Sequence, residues 1–296
     1  LLDHASVFGQ SVFNDRDIKS LVLKMTNNQK DFDALYAKTV ENEQMVKLGF
    51  DDSGRVAYTT RATFKREVDL MDRASRLSGK STISIAQKHI DSAINAFEGG
   101  KGFVLSEEQK AALSYIAQGG DVVCLDGIAG AGKTTTMEAL KAIYASRGIG
   151  VSGVAIAGKA AHGLEMEAGI ASNTVASIVK NYTLGGYRER YLPATGSVLV
   201  LDEAGMIGLD DMATLLEMCE QRHIKLVSIG DPDQLASIAR GAPFKAMMER
   251  IGFASLSEVR RQKDAGDREA TVLLKQGKVG AAIDHYLAKD QIVLDR

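Results

Sequence analysis

The chain has 296 residues, 45% hydrophobic and 25% charged, an ordinary globular composition with length for about two domains, which excludes disordered and fibrous classes. Lys and Arg number 36 against 38 Asp and Glu, a net charge of −2, so coating nucleic acid or an anionic membrane by bulk charge is excluded and any nucleic-acid site must be local. No run of about 18 apolar residues and no basic segment followed by an apolar one is present, so neither a membrane span nor a secretory signal is expected. The expected location is the cytoplasm. Cys124 and Cys219 sit in apolar stretches, as small buried thiols do in a reducing compartment, and offer no disulfide framework or metal pair. The chain opens on Leu1 rather than Met and reads as a piece of something longer.

In chain order, Asn14-Asp15-Arg16-Asp17 is a helix start with Asn14 as N-cap, and Ile18, Leu21, Val22 and Met25 follow at helical spacing. A second helix is predicted from Asp31 to about Glu43. Met45–Phe50 and Arg55–Thr59, joined by Asp51-Asp52-Ser53-Gly54, predict a β-hairpin. Helices over about Thr60–Leu77 and Ile83–Phe97 come next, and Glu98-Gly99-Gly100-Lys101-Gly102 predicts a flexible break and a domain boundary. Residues 1–98 then form a small helical and hairpin domain, winged-helix-like in its order of elements. Arg61, Lys65, Arg66, Arg73 and Arg76 make a basic face on the third helix. That face has two readings: contact with DNA phosphates, or a solvated face whose charges pair with Asp69 and Asp72.

After Gly102 the pattern becomes strand–helix alternation. β-rich apolar runs at Val122–Asp126, Val151–Ile156, Ser197–Asp202 and Lys225–Gly230 are separated by helical stretches such as Thr134–Ser146 and Asp210–Gln221. This predicts an α/β fold with a parallel sheet covered on both faces, and ligands at the carboxyl ends of its strands.

The motifs fall at those ends. Gly127-Ile128-Ala129-Gly130-Ala131-Gly132-Lys133-Thr134 matches G-x-x-x-x-G-K-[ST], after a strand and at a helix start. Gly127, Gly130 and Gly132 let backbone N–H groups cradle phosphates. Lys133 reaches the β- and γ-phosphates, Thr134 can ligate Mg²⁺, and Thr135 continues the cradle into the helix. The predicted ligands are ATP and Mg²⁺. Asp202 and Glu203 end an apolar strand, Asp202 to hold Mg²⁺ and Glu203 to orient or deprotonate the attacking water. Gln234, in Gly230-Asp231-Pro232-Asp233-Gln234-Leu235, is placed to sense a γ-phosphate. Gln109 alone would be an ordinary helix residue, but just ahead of the phosphate loop its carboxamide matches the edge of adenine.

In this order Gln109, the 127–134 loop, Asp202-Glu203-Ala204, Gly230–Leu235 and Arg260-Arg261-Gln262 resemble the successive motifs of RecD-like superfamily-one DNA helicases. Ala157–Glu165, Gly169–Thr174, Asp202–Met206 and Glu258–Gln262 are similar to the helicase part of Ti-type conjugative relaxases (TraA/MobA-like), and Ser6-Val7-Phe8 and Tyr58-Thr59-Thr60 look like the segment that precedes it there. The resemblance implies a RecA-like motor lobe over about 103–262, driven by ATP hydrolysis and moving 5′ to 3′ on single-stranded DNA. It implies that Lys159, Ala160 and Thr174 line the DNA track, Thr174 also serving as an N-cap, and that Arg261 stabilises transition-state charge.

The relaxase chemistry is not found. His4, His89, His162, His223 and His285 are scattered without metal-ligand spacing, so the nicking domain is expected outside this chain. Residues 263–296 are too short for a second RecA-like lobe and read as its truncated start. The expectation is ATP binding with at most weak hydrolysis and no unwinding. In the full protein the partners would be a relaxase domain, the second lobe and other conjugation proteins. Two alternatives remain open: a RecD-like repair helicase without a relaxase, and a non-motor P-loop module that uses ATP as a switch.

Overall fold

The computed structural model describes residues 11–51, 53–127, 132–184, 189–232, 242–256, 270, 273 and 279–288. Its first part is a short strand β1 (Phe13–Asn14), helices α1 (Asp15–Met25) and α2 (Gln29–Val40), and a hairpin of β2 (Met45–Phe50) and β3 (Val56–Thr60). The strands form an antiparallel sheet in the order β1-β3-β2. Asn14 caps α1 as its sequence predicts: its side chain accepts from the N–H groups of Arg16 and Asp17, and Asp17 returns a bond to the Asn14 N–H. A small core of Phe13, Ile18, Val22 and Tyr58 holds this part together.

Two helices follow, α3 (Arg61–Ser78) and α4 (Gln87–Lys101), and then α5 (Glu107–Gln118). The predicted flexible break is corrected here. Glu98–Lys101 is the last turn of α4, and Gly102 closes the helix in the left-handed conformation (φ 71°), its N–H donating to Glu98 O. Ile83 and Ile85, expected inside the fourth helix, lie ahead of it and are buried. Thr82 is held there by Asp121, whose Oδ1 accepts from the Thr82 N–H (2.9 Å) and hydroxyl (2.8 Å).

The rest is strand–helix alternation: β4 (Val122–Gly127), α6 (Lys133–Ala145), β5 (Val151–Ala155), α7 (Gly158–Ala168), β6 (Ser172–Thr174), α8 (Val175–Thr183), β7 (Val198–Asp202), α9 (Leu209–Gln221), β8 (Lys225–Gly230), α10 (Pro243–Ile251) and β9 (Ala254–Leu256), with α11 (Val279–Ala288) near the end. The six strands make one parallel sheet in the order β6-β5-β7-β8-β4-β9. This is the parallel α/β architecture that the alternation predicts and the RecA-like lobe that the resemblance implies.

Side chains alternate across the pleat, so a strand buried on both faces must be apolar at every position. Val123, Leu125, Val198, Val200, Val227 and Ile229 face one layer with α4, α5, α6 and α7. Val122, Cys124, Leu199, Leu201 and Leu226 face the other with α3, α8, α9 and α10. Each such side chain contributes about 1.5–3 kcal/mol through burial. Leu125→Ala, at a fully buried position, removes contacts in the middle of one layer.

The basic face of α3 pairs its charges with a neighbouring helix. Arg66 pairs with Asp210 (2.6 Å), Arg73 with Glu220 (3.1 Å) and Arg76 with Glu220 (2.8 Å). The partners sit on α9, not at Asp69 and Asp72, because Leu70, Ala74 and Leu77 bury α3 on the sheet and swing those arginines over the neighbouring helix. A Cβ on Gly120 would fall 2.0 Å from Ser78 O, so the end of α3 lies directly against the backbone leading into β4.

Candidate nucleotide site

At the carboxyl ends of β4 and β7 a cleft of about 640 Å³ is lined by Lys133, Thr134, Lys159, Ala160, Glu167, Asp202 and Glu203, among others. The chain order of strand, glycine loop and helix places the first of these. Gly127 ends β4, and a Cβ there would meet the Lys133 side chain at 2.6 Å, so the missing side chain is what lets the lysine stem fold over the strand end. α6 opens at Gly132 (φ 77°) with no side-chain cap on its first turn. Its leading N–H groups and dipole therefore face the cleft, a ready-made anion site. Thr135 lies in that first turn.

Asp202 and Glu203 come from β7. The Glu203 N–H donates to Asp202 Oδ1 (2.9 Å), which fixes that carboxylate. Glu203 itself is in the left-handed region (φ 56°, ψ 37°), a conformation uncommon for a residue with a side chain and often kept at functional sites. The cause is the turn that follows. A Cβ on Gly205 would sit 2.5 Å from Asp231 O, and one on Gly230 would sit 2.7 Å from Gly205 N, so the ends of β7 and β8 meet backbone to backbone. Both glycines fall inside motifs read from the sequence, which gave them no role of their own; a glycine two residues after a strand-end carboxylate is the available signal.

Gln109 bonds within the chain. It is 2% exposed, and both ends of its carboxamide are used within the chain. Oε1 accepts from the Ser106 N–H (3.0 Å), while Nε2 donates to Thr136 Oγ1 (3.2 Å) and Gly132 O (3.4 Å). In this conformation it is a strut between the start of α5 and the phosphate-loop helix. The Ser-x-x-Gln capping box was the signal for this role.

Lys159 and Ala160 lie in the first turn of α7 and line the same cleft. Thr174 caps α8, its hydroxyl accepting from the Ser177 N–H (3.2 Å), and its methyl would be 4.0 Å from a Cβ on Gly158. The three expected track residues are thus neighbours. Gly130, Gln234 and Arg261 lie outside the described residues. Cys124 and Cys219 are buried free thiols, and burial pushes the Cys124 thiol up to about 12.

The donor set fits a nucleoside triphosphate with a divalent cation: a lysine, an uncapped helix N-terminus, a hydroxyl and two carboxylates. Comparison with known proteins bears on which family uses it. A family model described as an AAA domain matches residues 104–295. The probable conjugal transfer protein TraA of Sinorhizobium fredii is 34% identical over 294 residues, covering 96% of this chain and 26% of that protein. By the first of these matches the chain belongs to the AAA domain family. The TraA protein of Agrobacterium fabrum is 35% identical over 97% of the chain and 26% of its own length. The ATP-dependent RecD2 DNA helicase of Deinococcus radiodurans is 35% identical over 53% of the chain and 22% of its own length. The two resemblances read from the motifs are both met, and the TraA likeness extends through the leading segment. The chain spans about a quarter of the length of the TraA proteins it matches. Among the described residues, no helix is long and apolar enough to cross a membrane and no group of three or more His, Cys, Asp or Glu residues could hold a metal ion.

Proposed function

We propose that this chain is the ATP-binding motor lobe of a conjugal-transfer DNA helicase, hydrolysing ATP to move 5′ to 3′ along single-stranded DNA in a bacterial cytoplasm. The observation that carries the reading is the meeting of Lys133, Thr134, Asp202 and Glu203 in one cleft at the carboxyl ends of β4 and β7. The names of the relatives, conjugal transfer proteins and a DNA helicase, support the setting. Because the chain is about a quarter of such a protein, the relaxase domain and the second lobe are proposed to lie elsewhere in the polypeptide. The family match from residue 104 supports a motor lobe that begins near 103, with α3 and α4 of the leading part packed on its sheet.

In hydrolysis, water attacks the γ-phosphorus and the bond to the ADP oxygen breaks. Lys133 and the first-turn N–H groups of α6 hold the β- and γ-phosphate oxygens. Thr134 and Asp202 would hold Mg²⁺, which would supply positive charge against the phosphates. The Glu203 carboxylate orients the attacking water and takes its proton. Gln234 would sense the γ-phosphate, and Arg261 would stabilise the charge developing on it. Gly127, Gly130, Gly132 and Thr135 complete the phosphate cradle. Lys159, Ala160 and Thr174 would carry the DNA backbone, near enough to the nucleotide cleft for strand and nucleotide to act on one helix.

The test is binding of Mg²⁺–ATP and of a short single strand to this chain, beside Lys133→Ala and Lys159→Ala. The reading expects ATP binding to be lost in the first and strand affinity to fall several-fold in the second. No ATP binding by the wild-type chain would overturn it.

A further inference from the structure

We infer that Glu167 is a positioning residue for Thr134, holding the hydroxyl so that its oxygen faces the metal, an inference that rests on the reading of the cleft as a Mg²⁺–nucleotide site. No motif contains Glu167. It is the last acidic residue of α7, exposed toward the cleft. Ala160, Gly163, Leu164 and Glu167 all line that cleft, and their spacing of i, i+3, i+4 and i+7 is one stripe of a helix. The stripe carries Glu167 to the start of α6, where the Thr134 hydroxyl donates to Glu167 Oε2 at 3.2 Å.

The direction of that bond matters. A threonine hydroxyl has one proton and two lone pairs. With the proton committed to Glu167, both lone pairs remain for a cation, whereas an unheld hydroxyl rotates and turns its proton toward the cation for part of the time. Partners of this kind, one shell out from a metal ligand, alter metal affinity by about 10- to 100-fold when removed. The arm that carries Glu167 is itself fixed: Lys141 on α6 donates to Gly169 O (2.5 Å), and Gly169 closes α7 in the left-handed conformation. α6 and the end of α7 are therefore tied at two points, one at the ligand hydroxyl and one beyond it.

The experiment titrates Mg²⁺ against binding of a fluorescent ATP analogue to the wild-type chain, Glu167→Ala, Glu167→Gln and Thr134→Ala, with melting curves on the same samples. A glutamine Oε1 accepts the same hydroxyl proton without the charge. The inference expects about a tenfold rise in the Mg²⁺ needed for half-maximal binding in Glu167→Ala, a change within about twofold in Glu167→Gln, and unchanged nucleotide binding without Mg²⁺ in both. An unchanged Mg²⁺ requirement in Glu167→Ala, with a raised one in Thr134→Ala, would overturn the inference and leave the reading of the cleft standing. Equal defects in Glu167→Ala and Glu167→Gln would also overturn it, pointing to charge instead of the hydrogen bond. A wild-type chain with no Mg²⁺ dependence would overturn the reading and the inference together.

Discussion

The two ends of the parallel sheet carry the same kinds of residue and treat them in opposite ways. At the amino end, Asp121 precedes β4 and Lys225 begins β8. Both are buried and bonded within the fold. Asp121 accepts twice from Thr82, and Lys225, 0% exposed, donates to Gly119 O (2.8 Å) and Ile83 O (3.3 Å). At the carboxyl end, Lys133, Asp202 and Glu203 reach an open cleft beside a helix whose first turn has no side-chain cap. The lesson is that a charged residue at a strand end is chemistry only where the backbone leaves it a ligand-sized space. The glycines make that space at one end, and the helix ends α3 and α5 close it at the other.

If the comparison is right, the largest effect comes from the open end. Glu203→Gln is expected to lower ATP turnover by about 10²–10⁴-fold in the protein that turns ATP over, with nucleotide affinity within about threefold, as steady-state rates and a binding titration would measure. Loss of affinity equal to the loss of rate would mean that Glu203 holds nucleotide and not the water.

The closed end should answer to pH and not to nucleotide. Burial pushes the Lys225 ammonium down to about 8, the Asp121 charge opposing the shift. The unfolded lysine titrates near 10.4, so between these values the unfolded chain binds more protons. The stability penalty of burying Lys225 is full below pH 8 and is relieved as pH rises toward 10, by at most about 1.4 kcal/mol per pH unit. Urea unfolding at pH 7.5 and 9.5 should show wild-type gaining stability relative to Lys225→Met. A constant difference would refute the account of that end.

Thr82→Ala removes the hydroxyl bond to buried Asp121, keeps the backbone one, and is expected to cost about 1–3 kcal/mol of stability with no change in ATP affinity, checked by melting and titration together. Smallest of all, Cys124 and Cys219 should not react with a thiol reagent until the lobe unfolds, since burial raises both thiols.

The open end was largely legible in the sequence, and the reason is physical. Phosphate binding needs glycines, a lysine and a hydroxyl at fixed spacing on one strand–helix unit, so Gly127–Thr134 announces itself locally. Asp202 and Glu203 were legible because four apolar residues make a buried strand whose end must be the site. Strands β4, β5, β7 and β8 fell within a residue or so of their predicted bounds, their apolar runs having no other use, whereas the three-residue edge strands β6 and β9 were not predicted. What depended on distant partners was not legible. Gln109 reads equally well as a base contact until Gly132 and Thr136 are seen beside it. The arginines of α3 leave two readings open in the sequence, and their partners Asp210 and Glu220 arrive from α9. Gly99 and Gly100 suggest a break, yet they sit in a helix whose side chains Ile90, Ala93 and Ile94 are buried on the lobe, and tertiary burial outweighs their poor helix propensity. Glu167 has no local mark at all, because its partner arrives from another helix.

The measurement that tests the contrast most directly is one titration of an ATP analogue, with Mg²⁺, against the wild-type chain, Lys133→Ala and Lys225→Met, each checked for folding by its melting curve. The account predicts that Lys133→Ala abolishes binding without lowering stability and that Lys225→Met binds as wild type does. Wild-type binding in Lys133→Ala, or lost binding in a folded Lys225→Met, would contradict the assignment of chemistry to the carboxyl end.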